Sequence, residues 1–363
     1  PKFRDPSAWY HFVCKNDGGT ITTYMNGVQQ ATGTGGQPLL SSTLYVGRFA
    51  GTAYHWDGYI SEFYFIDGTA YSPSTFAETD EDSGIWKPKE ADVTFGSDGL
   101  FLEFKQTGTG TDSSGMGADT SGNDNHMAVS NLATTDVTTD TPTNNFCTLN
   151  PLASSSLTTL AEGNLKGTGS SSSNNGNSDS TFAVANGKWY IEMKCTTRNT
   201  GSSAYYPTIG VAKAENLGRL LNGGTGQAGN IADSAGYEAD GNKRVGGTTS
   251  SHGDALSDGN IVQVALDMDN GAIYFGVNGT WQASSDPESG GSKTNAAHTW
   301  TADDRYYMFG LASYNSSVAE INFGNPAFAI SSSNADADGY GNFEYAVPSG
   351  YYALCTKNLA EYG

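Results

Sequence analysis

Apolar residues in this chain come in short runs separated by Gly, Asn, Asp and Ser, and no segment sustains a 3.6-residue apolar stripe. That pattern predicts strands and turns rather than helices. Ala8-Trp9-Tyr10-His11-Phe12-Val13-Cys14-Lys15 reads as a strand closed by Asn16-Asp17-Gly18-Gly19, followed by Thr20–Met25, the turn Asn26-Gly27 and Val28–Gln30. Asn-Gly between two such runs predicts a tight hairpin, because both central residues need positive φ. Leu44–Gly47, Asp57–Ile66 and Gly99–Phe104 read as further strands. Tyr71–Lys89 reads as a connecting arm and Gln106–Asn125, nearly devoid of apolar residues, as a long surface loop.

The second half opens with a low-complexity loop, Gly167–Ser180, including four serines in a row. Strands are then predicted at Gly187–Cys195, Pro207–Ala212, Ile261–Met268, Ala272–Val277, Tyr306–Ala312 and Ser317–Phe323, with turns at Asp269-Asn270-Gly271 and Asn278-Gly279. Only Ala214–Leu221 suggests a helical turn. The Thr/Asp/Pro/Asn-rich stretch Asp136–Pro151 marks a domain boundary at its end.

Composition sharpens this picture. With 12% aromatic residues against 37% hydrophobic overall, and 47 glycines, the chain is suited to pleated sheets and tight turns. Its 363 residues are enough for two domains, each with its own core. A formal net charge of −20 repels phosphates, so neither nucleic acid nor an anionic membrane is an expected partner. No apolar run is long enough to span a bilayer and no signal peptide is recognisable, so membrane insertion is not expected. The chain opens at Pro1 rather than Met, as a processed product or a fragment would. Cys14, Cys147, Cys195 and Cys355 are widely spaced, which gives no zinc pattern; Cys14 and Cys195, inside strand-like runs, are expected as buried thiols.

Two resemblances follow from these residues. Gly187-Lys188-Trp189-Tyr190-Ile191-Glu192, Ile209-Gly210-Val211-Ala212, Asp258–Asp267, Ile273–Gly279 and Tyr307–Ala312 occur in the order found in SPRY domains. Trp9–Val13, Tyr24–Val28, Leu44–Gly47 and Asp57–Glu62 resemble the laminin-G/concanavalin-A-like superfamily, with its first strands missing or rearranged. Leu100–Phe104 and Asp119–His126 look like that family's opening strand and loop, placed late. The implied fold class is all-β: two antiparallel β-sandwiches, one jelly-roll/concanavalin-A-like over 1–150 with a connector, one SPRY-like over 151–363 with a C-terminal extension. Long Gly/Ser/Asp-rich loops join the strands. Phe65–Ala70, Gly84–Lys89, Thr141–Phe146 and Ala161–Leu165 further resemble phrases of bacteriophage virion proteins of the fibre type.

Catalytic patterns are missing. The concanavalin-A-like glucanases carry Glu-x-Asp-x-x-Glu on one strand, and no such pattern occurs. Glu62 and Asp67 fall on opposite strand faces, Asp267 and Asp269 flank a turn, and Gly-x-Ser-x-Gly and phosphate-cradling loops are absent. No enzyme is therefore expected. Asp112, Asp119, Asn123 and Asp124, with Asp136 and Asp140 nearby, offer oxygen ligands for a calcium ion, the alternative being turn-forming Asx residues. By position, the SPRY resemblance places a binding surface at Tyr205, Tyr206, Tyr237, Asp240, Asn242, Arg244, Trp281 and Trp300. Tyr and Trp stack on sugar rings, while Asn and Asp bond hydroxyls; packing on the sandwich edge is the alternative for Tyr237 and Trp281. Together these features suggest a non-enzymatic virion surface protein, a homo-oligomer that binds host-surface glycan or other virion proteins. The alternatives are a secreted adhesin or carbohydrate-binding module of a marine bacterium, located extracellularly, and a cell-wall glycanase.

Overall fold

The computed structural model describes residues 5, 8–35, 43–48, 54–56, 58–81, 84–201, 205–216 and 228–363. The chain divides into two compact units, Pro1–Thr143 and Asn144–Gly363. Both are built from sheets whose named strands pair antiparallel, except where Tyr352–Ala353 near the C-terminus pairs parallel with Trp189 and Tyr190, so the all-β expectation holds.

In the first unit, β1 (Phe12–Asp17), β2 (Thr20–Met25) and β3 (Val28–Thr34) form a three-stranded meander. The β2–β3 turn has Asn26 at φ 47° and Gly27 at φ 77°, the positive pair that an Asn-Gly hairpin requires. Glycine is needed at this position twice over, since a Cβ on Gly27 would stand 2.8 Å from the Trp86 ring. Two short ribbons complete the unit: β4 (Phe63–Phe65) pairs with β7 (Leu100–Leu102), and β5 (Ala77–Thr79) with β6 (Trp86–Pro88). Tyr64 stacks on Phe101 at 4.1 Å and joins Phe76 and Phe95 in an aromatic layer.

Several expectations fail in this unit for identifiable reasons. Leu44–Gly47 forms no strand; its neighbour Arg48 makes a single bridge to His55. Of the run Asp57–Ile66 only β4 is extended in a sheet, and Asp57 lies outside the described residues. The supposed surface loop buries Met116, Ala118 and Asp119, because hydrogen bonds to Asp119 draw it against β7. Cys14 is exposed on the meander rather than buried.

The second unit is a sandwich. Its strands are β8 (Leu149–Ser154), β9 (Thr158–Ala161), β10 (Lys166–Gly169), β11 (Gly176–Val184), β12 (Lys188–Thr197), β13 (Thr208–Lys213), β14 (Ser234–Glu238), β15 (Asn242–Val245), β16 (Thr248–Ser251), β17 (Ile261–Asp267), β18 (Ala272–Val277), β19 (Thr280–Trp281), β20 (His298–Thr299), β21 (Tyr307–Ser313), β22 (Val318–Asn322) and β23 (Tyr352–Ala353), followed by a helix, α1 (Thr356–Tyr362). One sheet runs β19-β18-β17-β12-β22-β10-β9, with β20 beside β18 and β23 beside β12; the other runs β16-β15-β14-β13-β21-β11-β8.

Strand alternation divides β12 between two cores. Trp189, Ile191, Met193 and Cys195 face the second sheet and join Ile209, Tyr237, Phe275, Phe309 and Phe323 in the main core. Tyr190 and Glu192 face the other way, where Tyr274, Phe343, Tyr351 and Ala353 form a second apolar cluster under the C-terminal segment. This explains why β12, β17 and β18 read as nearly continuous apolar runs: both faces of their sheet are covered.

Glu192 fastens that segment. It is fully buried and accepts from Glu344 N (3.0 Å), Tyr345 N (2.8 Å), Tyr190 Oη (3.0 Å) and Asn322 Nδ2 (3.4 Å).

The boundary falls earlier than the expected 150/151, because Phe146, Cys147 and Leu149 are buried with the second unit and β8 pairs with β11. The Ser/Asn/Gly-rich stretch Gly167–Ser180 is not all loop: β10 and β11 both reach into it, held by pairing with β22 and β21. Ala214–Asn216 forms a 3-10 turn, and the rest of the suggested helical turn lies outside the described residues.

Register across the second sheet aligns Asp179, Gly310, Gly210, Gly236 and Arg244 in one row on its outer face. The glycines let backbone lie directly on the sheet: a Cβ on Gly236 would come within 2.5 Å of the Ala228 carbonyl oxygen.

Candidate functional site

Among the described residues the most exposed aromatic group belongs to the first unit. Arg48 and His55 form an antiparallel bridge, and Trp56 N donates to Gly47 O at 2.8 Å, so residues 43–48 and 54–56 are held side by side. Gly47 takes φ 81°, a conformation that side chains rarely adopt. Tyr54 is 80% exposed and Trp56 63%. The Arg48 guanidinium lies 4.1 Å from the centre of the Tyr45 ring. Gly47, Arg48, Tyr54, His55, Trp56 and Ile60 line an open recess of about 250 Å³. Trp56 Nε1 donates to Tyr59 O (3.3 Å), and Tyr59 stacks on Trp9 at 6.4 Å, which ties the recess to the unit beneath it.

Such a surface offers flat aromatic faces and an imidazole open to solvent, beside a half-buried cation held in place by a ring. Arg48, Tyr54, His55 and Trp56 are not among the residues that the sequence marks as a binding surface. The available signal was the density of aromatic residues in the window 45–59, which a search for strands absorbs as core.

The residues expected to bind a ligand in the second unit divide into separate places. Tyr205 and Tyr206 do meet (ring centres 4.5 Å apart), and Arg244 lies 5.9 Å from the Tyr205 ring. Tyr206 is nevertheless 4% exposed and stacked on Tyr314, while Arg244 pairs with buried Glu238 at 2.7 Å. Tyr237 is fully buried in the main core, with its hydroxyl donating to Asp254 O at 2.6 Å; β14 alternation turns it inward. Asp240 accepts from both nitrogens of Asn242, closing a turn. Trp281 packs against the second apolar cluster, and Trp300 stacks on Tyr307 at 4.9 Å. The eight residues do not form one surface.

The calcium ligands also fail to converge. Asp119 accepts from Phe101 N, Ser121 N, Ser121 Oγ and Asn125 N, so N–H and O–H donors stand where a cation would have to be. Asn123 donates to Gly96 O and Gly99 O, Asp112 accepts from Ser114, and exposed Asp124 lies 3.9 Å from His126. Asp136 accepts from Ala133 N and Asp140 from Trp9 Nε1. Among the described residues no group of three or more His, Cys, Asp or Glu could hold a metal ion.

Burial opposes ionisation of Asp119, but the hydrogen bonds from Phe101, Ser121 and Asn125 outweigh it and hold the carboxyl below its usual pKa. Its contribution to stability is therefore present above the unfolded value and lost as pH falls through the folded one. Asp119→Ala is expected to destabilise the first unit by about 2–4 kcal/mol at pH 7. The deficit should shrink in acid, read by urea denaturation at both pH values; an equal loss at both would contradict the assignment.

The second unit holds a further buried carboxyl that no sequence motif marks. Asp179 is 1% exposed, its Oδ2 has no hydrogen-bond partner, and burial pushes its pKa up to about 8.

Residues 2–75 match the family profile of the concanavalin A-like lectin/glucanase superfamily, in its laminin-G type. No curated protein matches the chain. Among solved structures, the SPRY domain of human HERC1 is similar at 19% identity, covering 48% of this chain and 96% of that domain, with a TM-score of 0.35.

Proposed function

We propose that this protein binds carbohydrate through the recess formed by Arg48, Tyr54, His55 and Trp56, without catalysing a reaction on it. The observation that carries this reading is the pair of exposed rings, Trp56 and Tyr54, beside Arg48. Aromatic faces take the apolar face of a pyranose, while Arg48 and His55 bond its hydroxyls. The match of residues 2–75 to a superfamily of lectins and glucanases supports it. Against catalysis stands the absence of the glucanase carboxylate pattern from the sequence.

The place of action is the surface of a bacteriophage particle, where the chain is a fibre-type component that attaches to host glycan and assembles with other virion proteins as a homo-oligomer. This rests on the sequence phrases Phe65–Ala70, Gly84–Lys89, Thr141–Phe146 and Ala161–Leu165.

A glycan array probed with the whole chain, followed by calorimetry on the best ligand, tests the binding. Trp56→Ala is expected to weaken affinity at least tenfold, about 1.4 kcal/mol, with little change in Tm because the ring is mostly exposed. Binding that survives Trp56→Ala and Tyr54→Ala together would place the site elsewhere, and an array with no ligand would remove the carbohydrate reading.

A further inference from the structure

One corner of the second unit gathers nitrogen donors in a chain that is otherwise strongly acidic. Lys243 is paired with Tyr237 across β14 and β15, so it turns toward the space between the sheets. Its ammonium donates to Ala297 O at 2.7 Å, and no carboxylate pairs with it among the described residues. The residue after Ala297 is His298, whose ring centre lies 5.8 Å from that of Trp300. His252 packs edge-on against Phe275 (6.2 Å) and Tyr237 (6.1 Å), the inward neighbour of Lys243.

Two of these groups have unused hydrogen-bonding atoms. His252 is 8% exposed and its Nε2 has no partner; Trp300 Nε1 has none either. A buried polar atom without a partner normally loses about 1–3 kcal/mol of stability, and a ligand that bonded to these two would recover it. Three carboxylates lie nearby without pairing with Lys243: Asp240 accepts from Asn242, and burial, then Asp254 and Asp240, raises the pKa of the Tyr237 hydroxyl. Asp233 is engaged by Lys213 at 3.0 Å, and Lys293 adds a further cation through its bond to Trp300 O (3.1 Å). Burial, then the Lys243 charge, lowers the pKa of both imidazoles, His252 to about 4, with Asp233 opposing the effect at His298. An anion placed among them would reverse that effect.

We propose that Lys243, His252, His298 and Trp300 form a binding site for a small oxyanion, the carboxylate or sulfate group of an acidic ligand. Lys243 supplies the charge, Trp300 Nε1 a fixed N–H, and His252 Nε2 becomes a donor when the anion favours its protonation. The partly exposed Lys243, His298 and Trp300 give access, while His252 is the most buried of the four. The site is separate from the aromatic recess and does not depend on the carbohydrate reading.

The test is a histidine-detected NMR titration of the whole chain in sodium sulfate and in sodium trifluoroacetate, whose carboxylate stays ionised in acid, with sodium chloride at equal ionic strength as control. The titration midpoint of His252 is expected to rise by about one pH unit or more, tenfold in proton affinity, in sulfate or trifluoroacetate and not in chloride. Lys243→Met should abolish the rise. Trp300→Phe, which keeps an aromatic ring against Tyr307 and removes the indole N–H, should weaken anion binding several-fold. A stronger response to trifluoroacetate assigns a carboxylate ligand, and a stronger response to sulfate a sulfate ester. Equal responses in all three salts, or a rise that both variants retain, would overturn the proposal.

Discussion

Replacing Asp179 with Asn is expected to stabilise the second unit increasingly as pH rises from about 4 to about 8, and to change little below that range. Burial penalises the charged form of the native carboxyl, whose Oδ2 has no hydrogen-bond partner, and pushes its pKa up to about 8. In the unfolded chain an Asp titrates at about 3.9. Between those values the native state holds a proton that the unfolded state has released. Stability therefore falls as pH rises, by about 1.4 kcal/mol per pH unit for each such proton. Across the window the difference from the Asn variant amounts to something on the order of 5 kcal/mol, and it levels off once the native carboxyl has ionised. Denaturation of the two proteins at several pH values measures it directly. Glu192 is also raised by burial, and it is common to both proteins, so it drops out of the difference. A gap that does not vary with pH would show that Asp179 is ionised in the native protein throughout.

The second large effect concerns Glu192. Removing its carboxylate with Glu192→Ala strands two backbone N–H groups, at Glu344 and Tyr345, together with the Tyr190 hydroxyl and the Asn322 amide. The expected loss is about 3–5 kcal/mol, in the range found when one side of a buried polar network is deleted. It should be accompanied by new protease cleavage near Glu344, because the segment that covers Phe343 and Tyr351 loses its tether. Glu192→Gln, which keeps an acceptor oxygen but turns an NH2 toward N–H donors, should fall between the two. Unchanged cleavage and stability in the Ala variant would mean that packing of Phe343 and Tyr351 alone holds the segment.

How far the sequence reveals this molecule depends on where its order comes from. The strands β12, β17, β18, β21 and β22 are legible because their own residues are apolar or β-branched and their turns carry the right chemistry, as Asn278-Gly279 does with φ 48° and 83°. β10 and β11 are not legible, since Lys166–Gly169 and Gly176–Ser180 hold little strand preference and are extended only because β21 and β22 pair with them. The same distinction governs the sites. Tyr237 looks like a ligand contact until the register of β14 sends it inward, and Asp119 looks like a calcium ligand until Phe101, Ser121 and Asn125 occupy its oxygens. Tyr54 and Trp56 lie outside any strand, and their exposure depends on a bridge between Arg48 and His55 that no local pattern announces.

The parallel pairing of β23 with Trp189 and Tyr190 bears on the order in which the second unit can assemble. β22 meets β12 only from Glu192 onward, so the flank of the central strand at Trp189 and Tyr190 waits for Tyr352–Ala353, far along the chain. Contacts of such sequence separation form late, after a large loop-closure cost. During synthesis that flank is an open strand edge beside the largest buried aromatic side chains, and it is where a nascent chain of this protein most needs shielding from its neighbours.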